Sequence, residues 1–314
     1  MTNISKTLEF PKDIEHIYQK AIRYQWISFF YMISSAIFTF IVMSNSQAMK
    51  TVWLQDLLGI IPPFSFLIST RIVRWKATRN FPYGFHRIVN LAYLTSALSL
   101  FILGLYLLID GLTALIKLEH PTITTIFIGD TPIWLGYIMF LALLWSSIPS
   151  TILGHIKIPL AKSLYDKILF ADSKMNKASW TSGFASIVGL IGIGFGFWWA
   201  DAVAALLISL SILNDGYSNL KQSLLDLLDE IPKNIGNNKT DPLIAQIKKI
   251  VEEESWVKEA KIRVRDEGHV FFGDIFILPK AKDVPTAKID LLREKLEKFH
   301  WRLHDMTIMP VEKL

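Results

Sequence analysis

Long apolar runs separated by short polar stretches fill roughly the first 220 residues of the chain. Runs of about 17 to 25 apolar residues have the length a helix needs to cross the hydrocarbon core of a bilayer. Six fall at about 26–44, 52–73, 88–115, 131–153, 169–196 and 200–220. They predict a membrane all-α fold, a six-helix transmembrane bundle spanning residues 25–221. The second run is interrupted by Asp56 and by Pro62-Pro63, where a kink is expected. The fifth and sixth are joined by a very short turn at 195–201, where Trp198 and Trp199 are placed as interface anchors.

The pattern changes after Lys221. Residues 222–240 read as a polar linker. Thr240 or Asp241 can cap a helix with Pro242 at its first position, and Leu243, Ile244, Ile247, Ile250 and Val251 form its apolar stripe. Residues 260–265 alternate with period two, 266–268 form a turn and 269–278 a second strand. A helix over 285–299 and a short strand over 306–309 complete the order αββαβ. Residues 241–314 are therefore expected to be a small α+β domain, marginal alone and suited to packing against a twin.

One polar stripe enters the apolar fifth run. Asp172, Asn176 and Ser179 stand at i, i+4 and i+7, on one face of a helix. A carboxylate or amide in a membrane costs free energy unless it meets a partner or an ion, so the stripe is a candidate functional site.

Composition adds limits. The chain is 51% hydrophobic and 19% charged, too apolar for an ordinary soluble protein. It has no cysteine, which excludes disulfides and thiolate metal sites. The net charge of +5 reflects orientation, not nucleic-acid binding. Arg71, Arg74, Lys76, Arg79 and Arg87 lie after the second run, and Lys157, Lys162 and Lys167 are placed in the loop after the fourth. The loops after the first and third hold only Lys50 and Lys117. Both termini are thus expected in the cytoplasm of a bacterial-type cell, with the bundle in its inner membrane. Residues 1–24 read as a polar cytoplasmic segment without the cleavage site of a signal peptide.

Several segments resemble the cation diffusion facilitator, or cation efflux, family. Residues 81–87 (FPYGFHR) are similar to the family's loop before helix three, and 102–111 to its Leu-rich helix-three sequence. The run 198–213 with 224–229 is similar to the opening and exit of its sixth helix. The resemblance covers about residues 26–314. It implies a homodimeric secondary transporter that exports Zn²⁺, Mn²⁺, Fe²⁺, Co²⁺ or Cd²⁺ against protons, with a cytoplasmic ferredoxin-like, metallochaperone-like tail. No enzyme activity and no tightly bound cofactor are implied. The partners are the cation, protons, the lipid bilayer and a second copy. The family's tetrahedral site uses two residues four apart on helix two and two on helix five. Here these fall on Asp56 and Ile60, and on Met175 and Ser179. Its loop-site histidines fall on Phe81 and Phe85, and its tail ligands on Phe276 and Met309.

The departure redirects the chemistry. One carboxylate, a thioether and a hydroxyl suit Zn²⁺ poorly. Asp56 with Asp172, Asn176 and Ser179 offers two carboxylates, an amide oxygen and a hydroxyl, a set for harder cations such as Mn²⁺ or Mg²⁺. Met175 is a weaker candidate, since a helical methionine is ordinarily packing. The blander alternatives are that Asp56 caps helix two, that Asp172 pairs with Lys174 or a loop arginine, and that Asn176 ties two helices together. Asp201 reads as an N-cap of helix six, and Asp110 as structural. His86 reads as a helix start or a contact to phosphate headgroups, and His269, His300 and His304 as surface residues of the tail. Two further functions compete: a non-transporting scaffold or partner subunit that has lost the site, and a membrane enzyme, for which the sequence holds no nucleophile–base pair or P-loop.

Overall fold

The computed structural model describes residues 10–118, 125–128, 131–235, 239–281 and 283–314; the side chains of Gln47, 126–128, Thr131, Lys174 and 177–182 also lie outside the described residues. The chain folds as α1 (Lys12–Val42), α2 (Gln47–Leu58), α3 (Ile61–Ile72), α4 (Ile88–Ile116), a hairpin of β1 (Thr125–Ile128) and β2 (Thr131–Trp134), α5 (Leu135–Leu164), α6 (Lys167–Gly194) and α7 (Trp198–Leu227). Five segments among the described residues are long and apolar enough to cross a membrane: Lys12–Val42, Ala48–Ile72, Ile88–Ile116, Leu135–Leu164 and Trp198–Leu227. In α6 the apolar stretch is the shorter Gly183–Gly194. Phe30, Ile37, Phe40 and Ile41 of α1 and Ile102, Ile109 and Ile116 of α4 are exposed. Water would not tolerate such a coat, and lipid does: this is an integral, multi-pass membrane protein.

The helix ends depart from the hydropathy reading for local reasons. The first helix starts at Lys12, where Pro11 precedes it. The second run is two helices, broken at Gly59-Ile60. Pro62 and Pro63 lack the N–H groups that would bond the carbonyls of Leu58 and Gly59, so the break falls one turn before the prolines. The fourth helix begins after the β1–β2 hairpin and runs far past residue 153. Lys157 and Lys162, expected in a loop, are helical. Tyr165 ends α5 in the left-handed region (φ 52°). Asp166 then caps α6, its carboxylate accepting from the Leu169 amide at 2.7 Å. This two-residue joint makes α5 and α6 antiparallel neighbours.

Close approach of α4 to α7 is set by glycine. A Cβ on Gly104 would lie 2.6 Å from the Leu213 backbone, and one on Gly216 would lie 2.6 Å from the Phe101 amide.

The C-terminal domain contains α8 (Pro242–Glu252), β3 (Val257–Glu267), β4 (Val270–Pro279), α9 (Thr286–Phe299) and β5 (Leu303–Pro310). The strand order is β3-β4-β5, antiparallel then parallel. Asp241 caps α8 through the Leu243 amide and also accepts from Arg302 at 2.7 Å. Leu243, Ile247 and Val251 of α8 and Leu292 and Leu296 of α9 cover one face of the sheet. Phe276 and Met309 face one another in register across β4 and β5, so the family's tail-ligand positions are apolar neighbours here.

Candidate cation site

Two helix faces line the interior. On α1, Gln25, Ser28, Ser35 and Thr39 recur at spacings of three, seven and four, and all four are fully buried. On α5, Ser146, Ser150 and Lys157 recur at four and seven, and all three are buried. The two faces meet along a polar seam about 21 Å long on α1 from Gln25 to Thr39, at about 1.5 Å per residue. A carboxylate sits at each end.

Asp56, in the last turn of α2, is 5% exposed. Its Oδ2 accepts from Ser35 Oγ at 2.7 Å and Thr39 Oγ1 at 3.5 Å, and its Oδ1 accepts from Ser146 Oγ at 2.8 Å. Hydroxyls from two other helices thus surround the carboxylate. Each hydroxyl oxygen keeps lone pairs, so the cluster holds the donor types of a hard-cation site.

Asp172, at the other end, is 1% exposed. Its Oδ2 lies 2.6 Å from Lys157 Nζ and accepts from Gln25 Nε2 at 2.9 Å. Its Oδ1 accepts from Asn176 Nδ2 at 3.2 Å, and Ser150 Oγ donates to Asn176 Oδ1 at 3.1 Å. Lys157 also donates to Gln25 Oε1 at 3.3 Å and to Ser28 Oγ. All three ammonium hydrogens find oxygen, which a buried lysine requires.

The structure therefore brings Asp172 and Asn176 together, and gives Asp56 a separate set of partners on the same seam. Met175 is half-buried, and the Ser179 side chain lies outside the described residues. Ile60 packs with Tyr31, Met32 and Leu153. Among the described residues the partner of Asp172 is Lys157 and not a loop arginine; the Lys174 side chain lies outside them. Sequence reasoning missed Gln25, Ser28, Ser35, Thr39, Ser146 and Lys157. The helical spacing that singled out Asp172 and Asn176 was present in α1 and α5 as well.

Other polar residues hold the frame. Asp201 is not the cap of α7, which Phe197 provides. It accepts instead from Ser46 Oγ at 2.9 Å and the Ala48 amide at 3.2 Å, fixing the start of α2. Lys50 pairs with Asp110 at 3.1 Å. At the opposite end the β3–β4 hairpin docks under the bundle. Asn90 donates to the Asp266 carbonyl at 3.1 Å, and Lys167 bridges Asp226 at 2.8 Å and Asp266 at 2.9 Å. His269 is buried, 3.4 Å from Asp166, and not a surface residue. Burial pushes the Asp166 carboxyl above its usual range, with His269 opposing. His86 is also buried, against His304 and Phe272, so it faces the tail and not lipid headgroups.

Residues 25–228 match the model of the cation efflux transmembrane domain. The chain belongs to the cation efflux family. The match ends at the exit of α7, so it covers the helical bundle and both carboxylate clusters. A cadmium, cobalt and zinc/H(+)-K(+) antiporter of Bacillus subtilis (strain 168) is similar, 26% identical over 205 residues. That alignment covers 65% of this chain and 61% of the relative, less than two thirds of its length. Of the positions where the family resemblance implied ligands, Asp56 is a carboxylate, while Ile60 and Met175 are not. The polar chemistry of this cation efflux bundle is instead spread along α1, α5 and α6.

Proposed function

We propose that this chain exports a divalent metal cation by alternating access, exchanging it for protons. The observation that carries the reading is Asp56, a buried carboxylate ringed by three hydroxyls inside an apolar span. Six spans with both termini in the cytoplasm complete the topology, α6 being the fifth in chain order and joining the five longer apolar segments. The arginine-rich segment between α3 and α4 supports this orientation after Lys157 is removed from the count. A homodimer places the exposed Leu291 and Phe299 of α9 against a second copy. The cation enters near Asp172, Asn176 and Ser179, with Met175 beside them, and passes to Asp56. The oxygen-only donors favour Mn²⁺ or Mg²⁺ among the Mn, Fe, Zn, Co and Mg class.

In vesicles reconstituted with purified protein, a Mn²⁺ or Zn²⁺ gradient should drive proton flux, and Asp56→Asn should cut it at least tenfold. Unchanged flux in the variant sinks the assignment of Asp56. A second reading, a non-transporting scaffold, draws on Ile60 and Met175 at the ligand positions and on the lysine already seated on Asp172. Calorimetry of the wild-type protein without heat for any of these cations favours that reading.

A further inference from the structure

Among the described residues, Lys157 is the one buried ammonium of the seam, and the transport reading leaves it without a task. Its surroundings are those of a bound cation: a carboxylate oxygen of Asp172, an amide oxygen of Gln25 and the hydroxyl of Ser28, contributed by two other helices. Asn176 and Ser150 extend the same oxygen network. A buried ion pair is a weak source of stability, because desolvation offsets much of the attraction, and apolar residues of the same size often serve as well. A membrane lysine held wholly by oxygen ligands therefore asks for a functional explanation.

The helix that carries Lys157 is built to shift. Pro149 and Pro159 both lie inside α5. Each removes a ladder bond, to the carbonyls of Trp145 and His155, so the segment bearing Ser150 and Lys157 is bounded at both ends by weakened turns.

We propose that Lys157 is a tethered cation occupying a metal pocket made by Asp172, Gln25, Ser28 and Asn176, and that the cargo cation enters this pocket by displacing the ammonium. The lysine then sets the specificity of entry: a divalent ion outcompetes it, while a monovalent ion of the same charge gains nothing by exchange. This inference deepens the transport reading and rests on it for the identity of the cargo, though the pocket itself does not.

Equilibrium dialysis with radioactive Mn²⁺ on the purified full-length protein tests it. Lys157→Met should tighten Mn²⁺ binding about tenfold relative to wild type, and adding Asp172→Asn should abolish the gain. Lys157→Arg, which keeps the charge, should not tighten binding. Unchanged affinity in a folded Lys157→Met protein overturns the proposal and leaves the pair structural. Should that variant fail to fold, acetylation of the wild-type protein read by mass spectrometry decides: Mn²⁺ should raise modification of Lys157 several-fold, and an unchanged yield overturns the displacement. Proton flux in wild-type vesicles separates the two readings. Flux with an inert Lys157 defeats only the displacement, and absent flux with a tightened Lys157→Met site defeats only the transport reading.

Discussion

Tyr31 illustrates how single residues compensate one another in this bundle. Pro149 cannot donate to the Trp145 carbonyl four residues earlier, and the Tyr31 hydroxyl donates to it instead at 2.9 Å. The same hydroxyl reaches the carbonyl of Ser146, the residue whose own hydroxyl holds Asp56. Tyr31→Phe should leave a buried carbonyl unsatisfied and cost about 1–3 kcal/mol, read as a lower melting temperature in detergent. In a Pro149→Ala background, where the amide is restored, the cost should shrink; a full additive loss would exclude the compensation. At this scale the sequence was legible where charge met an apolar run, as at Asp56 and Asp172. Ser35, Thr39 and Ser146 were not, because lone hydroxyls in apolar helices commonly bond their own backbone and carry no distinguishing signal. Lys157 was misread because a lysine normally marks the end of a span, and its carboxylate partner stands on a different helix.

Elements pack by what their glycines permit. Gly216 lies against the Phe101 amide so closely that any side chain must push α4 and α7 apart. Gly216→Val should therefore destabilise the bundle by about 1–3 kcal/mol. Gly194→Ala, whose Cβ would meet Trp134 at an ordinary 3.5 Å, serves as the near-neutral control. Equal melting temperatures for the two variants would contradict the packing. The third apolar run was legible to within a residue at each end, since no proline interrupts it and its polar residues are scattered; the last was legible at its start, but α7 runs on to Leu227 through a polar turn that hydropathy does not mark. The break in the second span fell a turn earlier than its prolines, because proline disturbs the carbonyls that precede it. The fourth span was misplaced at both ends, by a hairpin at its start and by the buried lysine near its finish.

The whole molecule is tied together where the tail meets the helices. Burial, with His304 and then His269 nearby, lowers His86 to about 4 from its ordinary 6.5. A histidine depressed in the folded state contributes stability that is complete above pH 6.5 and is lost as pH falls toward 4, because the unfolded chain takes up the proton first. Melting between pH 7.5 and 5 should show a loss of up to about 2 kcal/mol, and His86→Phe, next to Phe272, should flatten the slope. An equal slope in the variant would remove His86 as the cause. The αββαβ order of the tail was legible from its alternation and caps, but its docking was not, since that depends on residues far apart in the chain. Gly268 concentrates the consequence. Its φ of 80° opens the β3–β4 turn, and a Cβ there would stand 2.7 Å from Val89 and 3.1 Å from the His86 carbonyl. A hairpin tip is where an engineer would ordinarily insert an epitope tag or a fluorescent reporter. In this chain that tip is wedged against the first turn of α4, so reporters belong near the exposed Ala281 and Asp283, ahead of α9.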